Sequence, residues 1–278
     1  MIHKTLLHQG CRLSYFVEGH GPAVVLVQGS AVSGNAWRPQ IAALAKQFRC
    51  LWFDNRGYGQ SMPQTPKLTV EQMAEDVLSL MDAEEFAQAH LIGHSLGGAV
   101  VVSAAHQARE RVQSVALLNT FASGKTPTRL DRSLLWLLLR TQLGTAKMRR
   151  NAFLELVLPK EYLSRHNLDK LSEHFSALFG RALEKQPAVA MQQVSAMRRF
   201  DARPLLAALR GIPSLVVSSR HDLLTPASEG QCLAEGLGGR YVELADASHA
   251  APIQCPEEVN RLLLEHLQRA TDLGQRPQ

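Results

Sequence analysis

A short apolar run that turns through Gly-His-Ser-Leu-Gly into small and β-branched residues constrains the fold of this chain most. The run covers residues 89–100, with Ser95 at its centre and no proline inside it. This pattern predicts a strand, a very tight turn and a helix. A serine in such a turn has a strained backbone, so Gly93 and Gly97 leave out side chains that would collide, and Gly98 lets the helix lie close to the sheet. We therefore expect the Ser95 hydroxyl to stand clear of the sheet at the N-terminus of a helix.

Apolar runs alternate with segments of helical period along most of the chain. Residues 2–8 and 11–18 predict an opening hairpin around a Gln-Gly turn. Further strands are expected at 23–27, at 50–53, in the run before Ser95, and at 112–118, 214–219 and 241–244. Helices are expected at 36–47, 69–86, 96–107, 205–210, 227–237 and 257–267. The fold class that follows is α/β, with a mostly parallel, eight-stranded, doubly wound sheet and helices on both faces.

One segment breaks this alternation and carries its own charge. Residues 121–204 contain 15 Lys and Arg against 7 Asp and Glu, whereas the chain as a whole has a net charge of +5. Apolar residues at helical spacing fill it, and the run 134–139 is apolar nearly all round, so we expect that run to be buried or to line a pocket. We predict a helical insertion at 122–203 between two parts of one core, 1–121 and 204–278. The alternative for the basic residues is an ordinary solvated face, and the alternative for the leucines is ordinary core packing.

Composition and charge exclude several classes of protein. No apolar run approaches the length of a membrane span, and the N-terminal residues lack the apolar segment of a signal peptide. Basic residues are dispersed and not interleaved with aromatic residues, so nucleic-acid binding is not expected. Cys11, Cys50, Cys232 and Cys255 are scattered without a Cys-x-x-Cys pair, which indicates free thiols, no zinc site and a cytoplasmic location.

Two polar residues that follow late strands could activate the serine. A serine hydroxyl is a weak nucleophile and needs a base, which in turn needs an orienting carboxylate. Asp222 follows the strand at 214–219, and His249 follows the strand at 241–244. Because parallel strands end at the same edge of a sheet, these residues are expected to converge on Ser95.

These motifs together resemble the α/β-hydrolase family over nearly the whole chain. Ser95 in Gly-His-Ser-Leu-Gly resembles the nucleophile turn of that family, Asp222 in Arg-His-Asp-Leu-Leu-Thr-Pro its acid, and His249 in Asp-Ala-Ser-His-Ala-Ala-Pro its histidine loop. The sequence Asp-Asn-Arg-Gly-Tyr-Gly-Gln-Ser at 54–61 is similar to another turn common in the family. The insertion at 122–203 lies where the family carries its all-helical cap.

The resemblance implies roles for individual residues. His249 would be the general base and Asp222 would orient it, whereas Asp246, three residues before His249, is the rival acid and more plausibly shapes its own turn. His94 is expected to pack beside the serine without transferring a proton. Backbone N–H groups of Ser30 and Leu96 would form the oxyanion hole.

One motif departs from the family pattern, and others have less defined roles. Gln28-Gly29 stands where His-Gly is common, which leaves the backbone donors but puts the shape of the loop in doubt. The Ser30 hydroxyl is a possible extra donor. Asp54 and Arg56 are expected to pair and lock their turn. Three residues, namely Trp37, Phe121 and Trp136, are candidate walls of the substrate pocket, with core packing as the alternative.

The function expected from the resemblance is a serine hydrolase. Its substrate would be a small carboxylic ester, lactone or thioester, cleaved through an acyl-enzyme on Ser95 without a metal or other cofactor. The basic insertion suggests an anionic substrate or an acidic carrier as partner, with Arg149, Arg150, Arg198 and Arg199 as contacts. Two alternatives remain open: hydrolysis of a carbon–carbon bond or peracid formation by the same triad, and a ligand receptor that retains the triad. The fold does not choose among them.

Overall fold

One sheet of eight strands organises the computed structural model of the chain, which describes residues 1–63, 68–126 and 132–274. The strands are β1 (Ile2–His8), β2 (Cys11–Glu18), β3 (Ala23–Val27), β4 (Arg49–Phe53), β5 (Ala89–His94), β6 (Val112–Leu118), β7 (Ser214–Ser219) and β8 (Arg240–Leu244). Their order across the sheet is β1-β2-β4-β3-β5-β6-β7-β8. The β1–β2 and β2–β4 pairs are antiparallel and the others are parallel. The predicted mostly parallel, eight-stranded sheet is confirmed.

Helices follow most of the strands and flank the sheet. They are α1 (Arg38–Leu44), α2 (Val70–Ala83), α3 (Leu96–Gln107), α4 (Arg132–Arg140), α5 (Ala146–Val157), α6 (Lys160–Ser164), α7 (Leu168–Phe179), α8 (Ala190–Arg199), α9 (Arg203–Leu206), α10 (Ala227–Leu237), α11 (Ala251–Gln254) and α12 (Pro256–Gly274). Over the described ranges, we find no helix with the length and apolar character needed to cross a membrane.

Several helix boundaries differ from the prediction, and for two of them the structure shows the reason. The helix expected at 36–47 begins as a 3₁₀ turn at Gly34–Trp37, capped by the side chain of Ser33, and α1 then starts with a proline in its first turn. The last helix begins one residue before the predicted start and runs seven residues past the predicted end at 267. Its apolar stripe extends to Ala270, which is buried, so packing continues where the sequence pattern weakens.

The central strands are buried on both faces, as a continuous apolar run predicts. Side chains of β3 alternate, with Val25 and Val27 in one core cluster and Val24 and Leu26 in the other. Helices α2, α3 and α10 contribute to the first cluster, and α1 and α12 to the second. This two-sided burial leaves the carboxyl ends of the strands as the edge where loops can carry functional side chains.

Helices α4 to α8 lie between β6 and β7 in the chain, and we call them the cap helices. Residues of α4 to α7 form a third apolar cluster, which includes Leu154, Phe175 and Ala250 and contacts Val32 in a loop of the sheet edge. The buried apolar residues of α8, by contrast, belong to the first cluster. The chain leaves and re-enters the sheet region at an antiparallel bridge between Ser123 and Asp201. These helices bear out the inserted helical segment of the predicted fold class. The domain limits 122 and 203 remain a prediction.

The leucine-rich run of α4 is less buried than expected. Leu134 is 8% exposed, but Leu135 and Leu139 are 44% and 43% exposed. Only one side of α4 packs on the other cap helices. The remaining sides are exposed although they too carry apolar residues.

The turn after β4 also differs from the prediction, because Asp54 and Arg56 do not pair. The Asp54 carboxylate accepts hydrogen bonds from the backbone N–H groups of Gly34 and Gln60, at 2.8 and 2.9 Å. Arg56 is fully buried and instead binds the carboxylate of Asp76 on α2, with Nε 3.0 Å from Oδ2. Each residue fixes the turn separately, and sequence proximity did not reveal the partner of Arg56.

Candidate active site

The turn between β5 and α3 holds Ser95 in a strained conformation. Its φ of 52° and ψ of −121° lie in a backbone region that residues with a side chain rarely adopt. A Cβ at Gly93 would overlap the carbonyl of Gly97, and a Cβ at Gly97 would overlap the carbonyl of Val27. A Cβ at Gly98 would press on the Thr120 side chain. The predicted reason for all three glycines is therefore confirmed.

The loops after β7 and β8 bring Asp222 and His249 together. Asp222 Oδ2 lies 2.8 Å from His249 Nδ1, so the carboxylate accepts a hydrogen bond from the ring. The same oxygen accepts from Thr225 Oγ1 at 2.6 Å and from Asn119 Nδ2 at 2.8 Å. Oδ1 accepts from the backbone N–H groups of Leu224 and Thr225 at 2.8 and 2.9 Å. These five bonds fix the carboxylate while it faces the imidazole.

The surroundings of Asp222 keep it ionised. Burial alone would raise its pKa, but the neighbouring His249 and the hydrogen bonds from His249 and Thr225 lower the pKa below its ordinary value of 3.8. Asp246, by contrast, is exposed, and its carboxylate makes no hydrogen bond to His249. An ionised carboxylate at Asp222 therefore fixes Nδ1 of His249 as the protonated nitrogen and leaves Nε2 as an acceptor.

Sequence analysis did not identify Asn119 or Thr225. Asn119 follows β6 directly with a φ of 45°, and Thr225 lies three residues after Asp222. The available signal was positional, since a polar residue at the end of a buried strand lies at the same edge as the other candidates. Nothing in the residue types distinguished them from ordinary turn residues.

His94 connects the serine turn to the histidine loop. Its Nε2 donates to the backbone carbonyl of His249 at 2.8 Å. The centroids of the His94 and His249 rings lie 4.9 Å apart. Burial, followed by the neighbouring His249, lowers the pKa of His94 to about 3, so His94 is neutral at physiological pH. No hydrogen bond joins the side chains of Ser95 and His249, whereas Asp222 and His249 are bonded at 2.8 Å. Catalytic hydrogen bonds often form only when substrate is bound.

The residues expected to form an oxyanion hole adjoin the serine. Neither the Ser30 N–H nor the Leu96 N–H donates a hydrogen bond to any residue that the structure describes. A Cβ at Gly29 would lie 3.2 Å from the Cβ of Ser95, which shows how closely this loop approaches the serine. The Ser30 hydroxyl, a candidate donor by sequence, instead donates to Gln193 Oε1 at 3.0 Å. The Ser30 hydroxyl is therefore bonded to α8. Of the three candidate oxyanion donors, the backbone N–H groups of Ser30 and Leu96 are the two without a bonding partner among the described residues.

The structure places two of the three candidate pocket walls in the core and the third at the surface. Trp37 and Phe121 are 2% and 1% exposed and belong to the two core clusters, so they are core residues. The edge of the Trp37 ring lies against His94 at 6.4 Å between centroids. Trp136 is 62% exposed and lines a surface depression with Arg140 and Met148. The burial of each of these side chains depends on how the helices pack together, which the sequence pattern does not show.

The basic residues proposed as partner contacts fall into two groups. Arg150 pairs with Asp169, and Arg149 donates to the backbone carbonyls of Gly144 and Glu184. Arg198 and Arg199 are exposed at the end of α8. Arg198 and Arg199 therefore offer the more exposed guanidinium groups to an anionic partner.

The candidate residues lie beneath the cap helices. Ser95, Asp222 and His249 are 6%, 7% and 8% exposed. Cap contacts close over the same edge, since Ala250 N–H donates to the carbonyl of Val157 on α5 at 3.0 Å. We find no group of three or more His, Cys, Asp or Glu residues within 1–63, 68–126 and 132–274 that could hold a metal ion.

Comparisons with known proteins agree with this architecture. A family model described as alpha/beta hydrolase fold matches residues 22–256. RutD of Rhizobium rhizogenes, named as a proposed carbamate hydrolase, is 29% identical over 253 residues, which are 90% of this chain and 94% of RutD. The 3-oxoadipate enol-lactonase 1 of Acinetobacter baylyi is 26% identical, covering 92% of this chain and 94% of that protein. The crystal structure of an enol-lactonase from Burkholderia xenovorans LB400 is 29% identical with a TM-score of 0.78, covering 95% and 100% of the two chains.

Proposed function

The chain belongs to the alpha/beta hydrolase fold family, and from this premise we propose that it is a serine hydrolase cleaving a small carboxylic ester, lactone or thioester. The reaction would pass through an acyl-enzyme on Ser95. The observation that carries the proposal is the hydrogen bond between Asp222 and His249 at the sheet edge that also holds the strained Ser95 turn. The geometry supports Asp222, and not the exposed Asp246, as the acid.

In the first half of the reaction, Ser95 Oγ attacks the carbonyl carbon of the substrate. The hydroxyl proton moves to Nε2 of His249, and the carbonyl π electrons move to the oxygen. The free N–H groups of Ser30 and Leu96 would then donate to that oxyanion. Asp222 balances the positive charge on the imidazolium, because it is ionised and bonded to the other ring nitrogen.

The intermediate then collapses as the leaving oxygen or sulfur takes the proton from His249. This step breaks the bond to the acyl group and leaves an ester of Ser95. In the second half, a water gives its proton to His249 and attacks the acyl carbon. The second intermediate expels Ser95 Oγ, which recovers the proton, and the carboxylic acid is released.

Relatives and burial narrow the substrates to test first. Two relatives that cover nearly the whole chain are named enol-lactonases, which favours cyclic esters as substrates. The triad is buried beneath the cap helices, which favours a small acyl group. We further propose that residues 122–203 act as a cap unit, that Arg198 and Arg199 favour an anionic substrate or acidic carrier, and that the protein acts in the cytoplasm.

The test is turnover of p-nitrophenyl esters of increasing acyl length, beside a five-membered lactone. We expect rapid multiple turnover that Ser95→Ala abolishes and Ser164→Ala, at an exposed position of α6, leaves unchanged. A single slow turnover would favour the receptor alternative. Equal rates of wild type and Ser95→Ala would contradict the proposal. A double variant, Arg198→Gln with Arg199→Gln, tests whether these residues bind an anionic substrate. We expect it to raise KM for an ester with an anionic acyl group and to leave KM for a neutral ester unchanged.

A further inference from the structure

A glutamine from the cap helices contacts the loop that follows β3, which we call the β3 loop (residues 28–33). Oε1 of Gln193 on α8 accepts from the backbone N–H of Ala31 at 2.8 Å and from Ser30 Oγ at 3.0 Å. The orientation of the amide is fixed, since a backbone N–H can only donate and must face the oxygen. Gln193 is fully buried, although it lies 162 residues from Ala31 in sequence.

The residue held by Gln193 has a conformation that needs support. Ala31 has a φ of 58°, a left-handed conformation that a residue with a Cβ adopts at a cost. A second cap residue, Arg181, donates from Nε to the Ala31 carbonyl at 3.0 Å. The N–H and the C=O of Ala31 are therefore both bonded to residues of the segment between β6 and β7. The bond to Gln193 orients the peptide between Ser30 and Ala31, next to the free Ser30 N–H, and the bond from Arg181 orients the following peptide.

The rest of the β3 loop shows the same dependence on the cap. Ser33 donates from its N–H to the carbonyl of Phe179 and from its hydroxyl to the carbonyl of Leu178. Among the described residues, the bonds that tie residues 30–33 to other segments run to α7, to α8 or to Arg181 in the connection between these two helices. The sheet holds the ends of the loop, through Asn55 on the Gln28 carbonyl and Asp54 on Gly34.

The chemistry of Gln193 fits positioning better than simple packing. Its Nε2 is buried with no hydrogen-bond partner in the described chain. Leaving a buried donor unsatisfied costs about 1–3 kcal/mol, whereas an apolar side chain of the same size would avoid that cost. A polar residue at this position is therefore explained by the acceptor that it presents to Ser30 and Ala31.

We propose that Gln193 is a positioning residue that couples docking of the cap helices to assembly of the oxyanion hole. The inference rests on the proposed function for its effect on turnover, but not for its effect on the loop. When Gln193 is in place, the Ser30 N–H faces the reacting oxygen. When the acceptor is removed, Ala31 relaxes and the loop donor moves, while the Leu96 N–H at the start of α3 stays.

The experiment compares Gln193→Met, which keeps the size and removes the acceptor, with Gln193→Glu, which keeps an acceptor. Gln192→Met is the matched control, since Gln192 neighbours it on α8 and makes no bond to the β3 loop. We expect Gln193→Met to lower kcat for p-nitrophenyl butyrate about 10- to 100-fold with KM within about twofold. A loss of substrate binding would instead raise KM. Because a partly unfolded variant would also show a lower apparent kcat, kcat is expressed per folded enzyme, with the folded fraction measured by circular dichroism.

Hydrogen exchange of the β3 loop gives a readout that needs no activity. We expect the Ala31 amide to be protected in wild type and Gln192→Met, unprotected in Gln193→Met, and protected again in Gln193→Glu. Rapid exchange of this amide in wild type would overturn the inference, even if no variant folded. Lost protection with unchanged kcat would overturn the coupling. If wild type hydrolyses no ester, the proposed function fails, and exchange alone then decides whether Gln193 holds the loop.

Discussion

Asp222 Oδ2 accepts a hydrogen bond from His249 Nδ1 at 2.8 Å, across 27 residues of sequence. The two side chains meet because the strands that precede them, β7 and β8, are parallel neighbours in the sheet. Thr225 and Asn119 bind the same carboxylate oxygen, so its direction is fixed from several sides. This relationship is the basis of the first prediction.

Replacing Asp222 with Asn should lower kcat/KM for p-nitrophenyl esters by about 10⁴-fold, because the amide removes the charge that stabilises the imidazolium and favours the wrong ring tautomer. The matched control is Asp246→Asn, which changes an exposed carboxylate near His249 in sequence and should leave kcat/KM unchanged. Steady-state kinetics of the three proteins provides the comparison. An equal loss in the Asp246 variant would contradict the assignment of the acid.

Gly97→Ala should destabilise the protein and abolish turnover. The added methyl group would overlap the carbonyl of Val27 and press on that of Gln28, so the β3 loop must move away from α3. We expect the free energy of unfolding, measured with urea, to fall by about 1–3 kcal/mol. Gly274→Ala is the control, since its Cβ would meet only the Gln113 side chain at 3.8 Å. Full activity in Gly97→Ala would show that the turn is less tightly packed than described.

His90 should make the stability of the protein depend on pH. Burial, with a smaller effect of His266, lowers the pKa of His90 to about 4, from an ordinary value of 6.5. Between these pH values the unfolded chain binds more protons than the folded chain. Stability from this group is therefore complete above pH 6.5 and is lost as pH falls toward 4.

The measurement is the free energy of unfolding of His90→Gln against pH. The variant should lose less stability than wild type between pH 6.5 and 4, although His94 and His266 still titrate in it. His106→Gln, at an exposed position on α3, should follow the wild-type curve. Parallel curves for wild type and His90→Gln would refute the prediction.

Arg56→Met should destabilise the fold by about 3–5 kcal/mol, since it removes the buried guanidinium from the buried Asp76 carboxylate and leaves that carboxylate with the hydrogen bond to His8 Nδ1. Arg56 also donates to the backbone carbonyls of His8 and Gln9, so the opening hairpin loses contacts as well. Urea unfolding measures the change. Arg261→Met breaks an exposed pair with Glu265 and should have little effect. If both variants lose the same free energy of unfolding, burial of the Arg56–Asp76 pair does not explain its contribution to stability.

The sequence by itself predicted much of this protein because the signals involved are local. Alternation of apolar runs gave the strands and most helices, and steric crowding at one turn explained Gly93, Gly97 and Gly98 around Ser95. The positions of Asp222 and His249 after neighbouring strands could be derived from the rule that parallel strands end at one edge. Their roles in turnover remain predictions that the experiments above address.

Only the tertiary structure decided which residues support that edge. Gln193 contacts Ser30 across 163 residues, and Asn119 contacts Asp222 across 103. The docking of separate helices also left Trp136 exposed, buried Trp37 in the core and paired Arg56 with Asp76. Such contacts depend on how distant segments pack, and a period of apolar residues along one segment carries no information about its partner.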